Sequence, residues 1–513
     1  MTEENKRSHE QSINSEGGNT LQDSLAAGHW FLADTIMQRM LVFGTFFVTA
    51  RLLTPSDYGL ISLAAIYPGL LDSLTAIALD NAVTQKKPGE ETPYLSAVWT
   101  FNFLRCALLF CIVFFTAPLI AHFFHTENSI FLFRISALYL FFQGLTNIGQ
   151  IYFFRNLDFK KVFFRDMAMY GTNSLVSISC ALLFHSYWAL FAGNVAGIVA
   201  ATISTYILNS YRPRFDFSFA KLKPLLPYSQ WVFGQGLVGR LSQTLESTLI
   251  GRFADPTGVG LYSKAKTLSV APTSPLGNII GKIGFSALVS VQDSKERVRE
   301  GFHKSFELTA TIALAFLVAI FVGGHQLTLI ILGPSWTGIT PFLKILTTAA
   351  TFDALVIIIA GTIMNALDKP HLLFRLNMLS LFCLAFFLVF LVPKYGTFGA
   401  AASLLGASII TNSYALILIQ RVVTPNWRRI GETLCVIVLA LILPLLLGTY
   451  ILRFPVANTR VGFLSLVVFA GLLYTGIIII SGVYAKKGPY KTLLIIARSF
   501  QGRIRARNSR LLT

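Results

Sequence analysis

Charged residues are scarce in this chain. They make up 13% of its 513 residues, whereas 54% are hydrophobic. Soluble domains usually carry roughly 25% charged residues. The shortage of charge therefore excludes an ordinary soluble globular protein and predicts an all-α polytopic membrane protein.

Cysteine is also scarce, and the common catalytic motifs are missing. The five cysteines all fall in apolar runs, with no spacing suited to a metal or to an extracellular disulfide. The sequence has no Asp-x-Asp, His-Glu-x-x-His or Gly-x-Ser-x-Gly motif. The sequence therefore gives no support for a membrane glycosyltransferase, a metalloprotease or a serine hydrolase. We expect no enzyme activity, metal or cofactor.

Acidic residues are outnumbered, with 24 of them against 42 basic residues and a formal net charge of +18. A basic excess can indicate nucleic-acid binding, but in a chain without a soluble domain membrane topology explains it better. If the N-terminus is cytoplasmic, most basic residues between the spans lie on that side. The opposite side holds only Arg51, Arg252, Lys394, Arg453 and Arg460. This asymmetry predicts that both termini are cytoplasmic and that no nucleic acid is bound.

Apolar runs of roughly 17 to 25 residues are long enough to cross about 30 Å of hydrocarbon. They predict about fourteen transmembrane helices, with twelve as the alternative. The predicted spans are 30–50, 59–80, 97–121, 130–151, 163–184, 188–209, 226–250, 259–290, 303–332, 341–364, 371–392, 396–420, 431–452 and 461–484. The span at 259–290 is interrupted by Pro272 and Pro275.

The spans and the polar segments around them predict six regions. These are a disordered cytoplasmic tail at 1–24, an N-terminal six-helix lobe at 25–210, a cytoplasmic linker at 211–225, a C-terminal six-helix lobe at 226–420, two additional transmembrane helices at 431–484 and a basic cytoplasmic tail at 485–513.

A short polar element between two apolar runs occurs twice. The segment 51–60 reads Arg-Leu-Leu-Thr-Pro-Ser-Asp-Tyr-Gly-Leu, and the segment 252–261 reads Arg-Phe-Ala-Asp-Pro-Thr-Gly-Val-Gly-Leu. Several flanking residues coincide at the same offset, including Trp30 with Trp231 and Arg39 with Arg240. Two halves in the same order predict a parallel repeat, an architecture of transporters whose substrate site lies between the lobes.

Two basic residues are predicted to lie near the middle of the bilayer. Arg39 and Arg240 each precede the outer end of their span, at Arg51 or Arg252, by about 18 Å of helix rise. An ionisable group at that depth costs about 2.5 to 3.5 kcal/mol or more, so each arginine should face a wet cavity or a partner. We therefore predict a cationic, anion-binding cavity between symmetry-related helices.

Other polar residues extend this hypothesis. Gln243 lies on the same helical stripe as Arg240, and Lys264 and Lys266 are predicted to line the cavity from the next span. In the alternative, the arginines form internal ion pairs, Arg39 with Asp34 or Asp72 and Arg240 with Glu246. A coupling proton or sodium ion needs an acidic residue within a span, and the sequence does not select among the candidates. These are Asp34, Asp72, Asp166, Glu246, Glu307 and Asp353.

Several segments resemble the polysaccharide transporter family, the O-antigen and colanic-acid type exporters of the multidrug/oligosaccharidyl-lipid/polysaccharide superfamily. The most specific is the Arg-Leu-Leu-Thr-Pro-x-x-Tyr-Gly element that begins at Arg51. The others are Val83-Thr-Gln-Lys86, Ala117-Pro-Leu-Ile-Ala-His-Phe-Phe124, Arg155-Asn-Leu-Asp-Phe159 and Tyr187-Trp-Ala-Leu190.

The resemblance implies a flippase that works by alternating access between two six-helix lobes. Its substrate would be an undecaprenyl-pyrophosphate-linked oligosaccharide, moved across the bacterial cytoplasmic membrane for O-antigen, capsule or exopolysaccharide. The implied partners are that lipid-linked glycan, membrane lipids, and the polysaccharide polymerase and chain-length machinery. The alternative is a multidrug or cation antiporter of the same superfamily, for which an acidic, aromatic cavity would be expected.

Overall fold

The computed structural model describes residues 29–451, except 88 and 157, together with 465 and 469–478. Every regular element within these ranges is helical. The predicted tails at 1–24 and 485–513, and most of the predicted span at 461–484, lie outside the described residues. The helical structure of the described residues confirms the predicted all-α class.

The helices are numbered in chain order. The first ten are α1 (His29–Leu52), α2 (Pro55–Thr75), α3 (Leu79–Thr84), α4 (Thr92–Phe123), α5 (Ile130–Ser136), α6 (Leu138–Gly144), α7 (Ile151–Arg155), α8 (Phe159–Phe184), α9 (Trp188–Leu208) and α10 (Leu226–Phe253). The others are α11 (Pro256–Ser269), α12 (Thr273–Ile279), α13 (Phe285–Val289), α14 (Lys295–Leu327), α15 (Thr340–Leu355), α16 (Ile357–Ala366), α17 (Pro370–Val422), α18 (Trp427–Ile451) and α19 (Phe469–Ile478).

Within the described ranges, eight helical segments are long and apolar enough to cross a membrane. The number is nine if the bent pair Glu127–Gly144 and Ile148–Arg155 forms one span. The count of fourteen spans stays a prediction. Contacts divide the chain into two compact units, one up to Arg252 and the other from Phe253.

Two predicted helix interruptions have clear causes. Near Pro272 and Pro275, α11 ends at Ser269 and α12 begins at Thr273, as the two prolines predict. The predicted spans 371–392 and 396–420 meet in α17 at Gly396, whose φ of 55° is in the left-handed region. Glycine adopts this conformation without the steric cost that a Cβ would add.

The two copies of the repeated polar element begin their helices in the same way. Thr54 caps α2, because its hydroxyl accepts a hydrogen bond from the Asp57 backbone N–H and its own N–H is bonded by the Asp57 carboxylate. Asp255 caps α11 by accepting a hydrogen bond from the Gly258 N–H. In both copies proline follows the cap as the first helical residue.

Close helix packing explains one of the two Gly-x-x-x-Gly motifs. A Cβ added at Gly193 would lie 1.8 Å from Ser177 Oγ, and one at Gly197 would lie 2.9 Å from the Met169 carbonyl oxygen, so α9 needs both glycines to pack on α8. The sequence predicts packing at Gly277 and Gly281 as well. A Cβ at Gly281 meets no atom within 4 Å in the described part of the chain, so that position does not require glycine for close contact.

Candidate functional site

A polar cavity of about 220 Å³ lies in the first unit, where α2 gives way to α3. Side chains and backbone from α2, α3, α4, α6 and α10 surround it. The lining residues are Asp72, Ala76, Ile77, Ala78, Leu79, Asp80, Asn81, Val98, Phe101, Asn102, Arg105, Gln143 and Arg240.

The cavity opens because the predicted span at 59–80 is not one continuous helix. α2 ends at Thr75, and Ala76 to Ala78 are non-helical before α3 begins. The Ala76 N–H still donates to the Asp72 carbonyl oxygen at 2.8 Å, which closes the last turn of α2. Irregular backbone at membrane depth is tolerated where it lines a cavity or is buried in protein. The interruption therefore exposes polar backbone to the cavity.

Arg105 is fixed in the cavity wall by four hydrogen bonds to side-chain oxygens. One Nη donates to Asp72 Oδ1 at 2.8 Å and to Thr75 Oγ1 at 2.9 Å. Nε and the other Nη both donate to Asn102 Oδ1, at 3.2 and 3.0 Å. The Arg105 side chain is only 11% exposed. The Arg105 charge is therefore paired with Asp72, and its other hydrogen bonds are made to side chains of the cavity wall.

Arg240 has a different environment in the same cavity. Its Nη1 donates to the Ser73 carbonyl oxygen at 3.3 Å, and this is its only hydrogen bond to the described residues. The contact is favourable because a cation lies beside the last turn of α2, where carbonyl oxygens give the helix end a partial negative charge. A guanidinium has five N–H donors. Most donors of Arg240 therefore remain available to a ligand, and the residue is exposed.

The cavity is balanced in charge rather than strongly cationic. Two arginines, Arg105 and Arg240, share it with two aspartates, Asp72 and Asp80. Three amide side chains complete the polar lining, contributed by Asn81, Asn102 and Gln143. Because Arg105 is paired with Asp72, Arg240 is the cation best placed to meet an anionic group.

Arg39 does not line this cavity. It lies on α1, is partly exposed, and forms no hydrogen bond or ion pair with the described residues. The neighbouring polar residues of α1 serve helix packing, since Gln38 bonds Tyr170 and Thr45 bonds Ser174 on α8. The structure thus brings only Arg240 of the two predicted arginines to the cavity.

The remaining predicted residues lie in several places. Gln243 is exposed and Glu246 is buried, both on α10. Lys264 and Lys266 are partly exposed on α11, which belongs to the second unit. Asp34 on α1 interacts electrostatically with Asp166 and Arg165.

Arg105 is not among the cavity residues that the sequence predicted. A usable signal was present, because two polar pairs occur at i, i+3 spacing in neighbouring spans. Asp72 and Thr75 form one pair, and Asn102 and Arg105 form the other. Such pairs place two polar side chains on one helical face, where a neighbouring helix can bond both.

Comparisons with known proteins agree with a membrane transporter. A family model described as "Polysaccharide biosynthesis protein" matches residues 48–341. The lipopolysaccharide biosynthesis protein WzxC of Escherichia coli (strain K12) is 23% identical over 418 residues, which cover 80% of this chain and 83% of WzxC.

Solved structures share the fold at low sequence identity. The lipid II flippase MurJ, in an inward closed conformation, is 14% identical with a TM-score of 0.68, covering 89% of this chain and 99% of MurJ. An inward-facing multidrug resistance transporter of the MATE family is 12% identical with a TM-score of 0.54, covering 75% of this chain and 94% of that transporter. The fold alone therefore does not separate a flippase from a multidrug transporter.

Proposed function

The chain belongs to the polysaccharide biosynthesis family of membrane transporters, and from this premise we propose that it is a lipid-linked oligosaccharide flippase. Its proposed substrate is an oligosaccharide repeat unit on undecaprenyl pyrophosphate. It would move this unit across the bacterial cytoplasmic membrane, with both termini in the cytoplasm, for O-antigen, capsule or exopolysaccharide. The polysaccharide polymerase and chain-length machinery would act on the product.

The observation that carries the proposal is Arg240, a cation with free donors in a polar cavity between membrane helices. Sugars and a pyrophosphate cannot enter hydrocarbon unaided, because each unsatisfied polar group costs several kcal/mol. The guanidinium of an arginine matches phosphate oxygens through paired N–H donors. Arg240 is thus suited to replace water around one phosphate of the substrate.

The size of the cavity limits what it holds. Drug-sized ligand pockets occupy about 300 to 1,000 Å³, and this cavity offers about 220 Å³. We infer that it receives the charged pyrophosphate end, while the prenyl tail stays in lipid. Arg39, Gln243, Lys264 and Lys266 remain proposed substrate contacts. Asp34 and Glu246 remain proposed coupling or ion-pair residues, and Asp72, which pairs with Arg105, remains a proposed coupling residue.

We further propose fourteen spans, arranged as two six-helix lobes in a parallel repeat with two additional C-terminal helices. The matching caps at Thr54 and Asp255, each followed by proline, support this arrangement. Alternating access between such lobes would expose the substrate to one leaflet at a time.

The test is leaflet-resolved labelling of undecaprenyl-linked oligosaccharide in cells depleted of the protein. Cells are complemented with wild type, Arg240→Ala or Arg428→Ala. Arg428 is the matched control, because its side chain is 89% exposed and, among the described residues, pairs only with Glu432 one helical turn away. Wild type and Arg428→Ala should clear the glycan from the inner leaflet, and Arg240→Ala should leave it there.

Normal delivery of the glycan to the outer leaflet in depleted cells would refute the flippase. The multidrug or cation antiporter would then be tested directly, by comparing drug accumulation in the same strains. Full complementation by Arg240→Ala would instead refute the role of the cavity.

A further inference from the structure

A second buried polar cluster lies in the second unit, between α15 and α17. Asp353 Oδ1 accepts hydrogen bonds from Ser408 Oγ at 2.6 Å and from Asn412 Nδ2 at 2.8 Å. Ser408 and Asn412 are one helical turn apart on α17 and are only 6% and 4% exposed. Asp353 and its two partners thus lie in two helical segments, Pro334–Ala366 and Pro370–Val422, that are long and apolar enough to span a membrane.

One polar atom of this cluster has no partner. Asn412 Oδ1 is buried and receives no hydrogen bond from the described residues. In this orientation the amide nitrogen faces three acceptors: Asp353 Oδ1, the Ser408 carbonyl oxygen at 2.8 Å and Ser408 Oγ at 3.0 Å. A buried acceptor without a donor costs about 1 to 3 kcal/mol. The site therefore lacks one donor.

No cation balances Asp353 in the part of the chain that the structure describes. Its only hydrogen-bond partners there are Ser408 and Asn412. Titratable groups on α15 and on the helices packed against it include Lys264 and Lys266 on α11, His303 and Glu307 on α14, Lys344 on α15 and Tyr414 on α17. None of these six forms an ion pair with Asp353.

An ionised carboxylate without a countercharge is costly within a membrane span. A carboxylic acid is neutral and carries an O–H donor beside its carbonyl acceptor. Such an O–H is the kind of donor that Asn412 Oδ1 lacks, because a carboxylic acid and an amide can complement each other with two hydrogen bonds. We propose that Asp353, Ser408 and Asn412 form a proton-binding site whose exchangeable proton is carried by Asp353.

The surrounding groups favour a proton over a metal cation. Ser408 and Asn412 present hydrogens, rather than lone pairs, to Asp353 Oδ1. Hard cations require several oxygen lone pairs around them, and these two donors already occupy lone pairs of Asp353 Oδ1. Loading is a simple proton transfer, in which a hydronium ion gives up one proton to Asp353 Oδ2, an O–H bond forms there, a water molecule is left, and the carboxylate becomes neutral.

Asp353 is only partly buried within the described residues. In a transporter, such a site would couple substrate movement to a proton gradient. This last step rests on the proposed flippase function, whereas proton binding does not.

Infrared spectroscopy of the full-length protein in lipid nanodiscs tests proton binding without any substrate. Aspartate carboxyls carry ¹³C, and the protonated-carboxyl band is compared at neutral pH. Part of the band should be lost in Asp353→Asn and fully retained in Ser413→Ala. Ser413 is the matched control, because it is exposed on α17, the helix of Ser408 and Asn412, and its hydroxyl bonds only the Ile409 carbonyl oxygen within the described part of the chain.

Asn412→Val gives a second test if Asp353→Asn does not fold, because it keeps the acid and removes its acceptor. The band should then shift in frequency. An unchanged band in both variants would overturn the proton site. Loss of the wild-type band on adding sodium chloride, but not choline chloride, would overturn the proton assignment in favour of sodium.

Transport into liposomes tests the coupling. A pH gradient should accelerate transport by wild type and Ser413→Ala and have no effect on Asp353→Asn. Acceleration retained in Asp353→Asn would overturn coupling through this site. If no variant transports the lipid-linked glycan, the proposed function fails, and the infrared result still decides the proton site.

Discussion

Arg105 Nη1 lies 2.8 Å from Asp72 Oδ1, and the two side chains are only 11% and 25% exposed. This ion pair joins α4 to α2 at the rim of the polar cavity. Because Thr75 and Asn102 also bond the guanidinium, Arg105 holds the cavity wall in place. The neighbouring Arg240 therefore differs from it in role: one arginine supports the cavity, and the other is open to a ligand.

Removing either partner of the Arg105–Asp72 pair should destabilise the protein. Asp72→Ala leaves a largely buried cation unpaired, and breaking such a pair costs about 3 to 5 kcal/mol. Asp72→Asn combined with Arg105→Gln removes both charges and should cost less than the sum of Asp72→Asn and Arg105→Gln made singly. Thermal unfolding in detergent measures each variant. Strict additivity of the two single changes would show that the pair is not coupled.

Arg429 should anchor α18 to α14. Its Nη2 lies 2.9 Å from Glu307 Oε1, whose side chain is 1% exposed, and it also bonds Glu300. Arg429→Ala leaves the buried Glu307 without this partner and should cost about 3 kcal/mol or more. The adjacent Arg428→Ala removes only an exposed pair and should cost about 1 kcal/mol or less. Equal losses of melting temperature in the two variants would contradict the anchoring role.

Gly193→Ala should weaken the packing of α9 on α8. The new methyl group would overlap Ser177 Oγ and press on the Asn173 carbonyl oxygen, and overpacking of this kind costs about 1 to 3 kcal/mol. Gly171→Ala is the control, because it lies on α8 with no atom within 4 Å of the new Cβ in the described residues. It should be neutral or slightly stabilising, since alanine favours helix. Comparable melting temperatures for the two variants would argue against the tight contact.

The elements that sequence predicted well have local causes. Long apolar runs predicted the helices, and Pro272 and Pro275 predicted the break after α11. Each signal lies within a few residues of the feature it predicts, so hydropathy and proline sterics are sufficient.

The cavity could not be predicted in the same way. The gap between α2 and α3 falls at Ala76-Ile77-Ala78, which contains neither glycine nor proline. The choice of Arg105 as the partner of Asp72, and of Ser408 as the partner of Asp353, depends on which helices pack together. Sequence periodicity identifies polar faces, but only the tertiary fold decides which faces meet.

Glu91 should make stability depend on pH. It lies just before α4, where Arg155 Nη1 is 3.0 Å from Glu91 Oε2 and Tyr152 Oη donates to Oε1 at 3.2 Å. Burial opposes ionisation, but the hydrogen bond from its own backbone N–H, the charge of Arg155 and the Tyr152 hydrogen bond outweigh it and hold the pKa of Glu91 below its usual value.

Because the folded pKa is lower than the unfolded one, ionised Glu91 contributes stability above about pH 4.3, the usual glutamate pKa. That contribution is lost as the pH falls through the lower pKa of the folded state. Glu91→Gln should therefore lower the melting temperature at pH 7, and its difference from wild type should shrink at acidic pH. The exposed neighbour Glu90 provides the control, and Glu90→Gln should show neither effect. A constant difference between wild type and Glu91→Gln across this pH range would mean that the glutamine variant loses packing rather than a charge interaction.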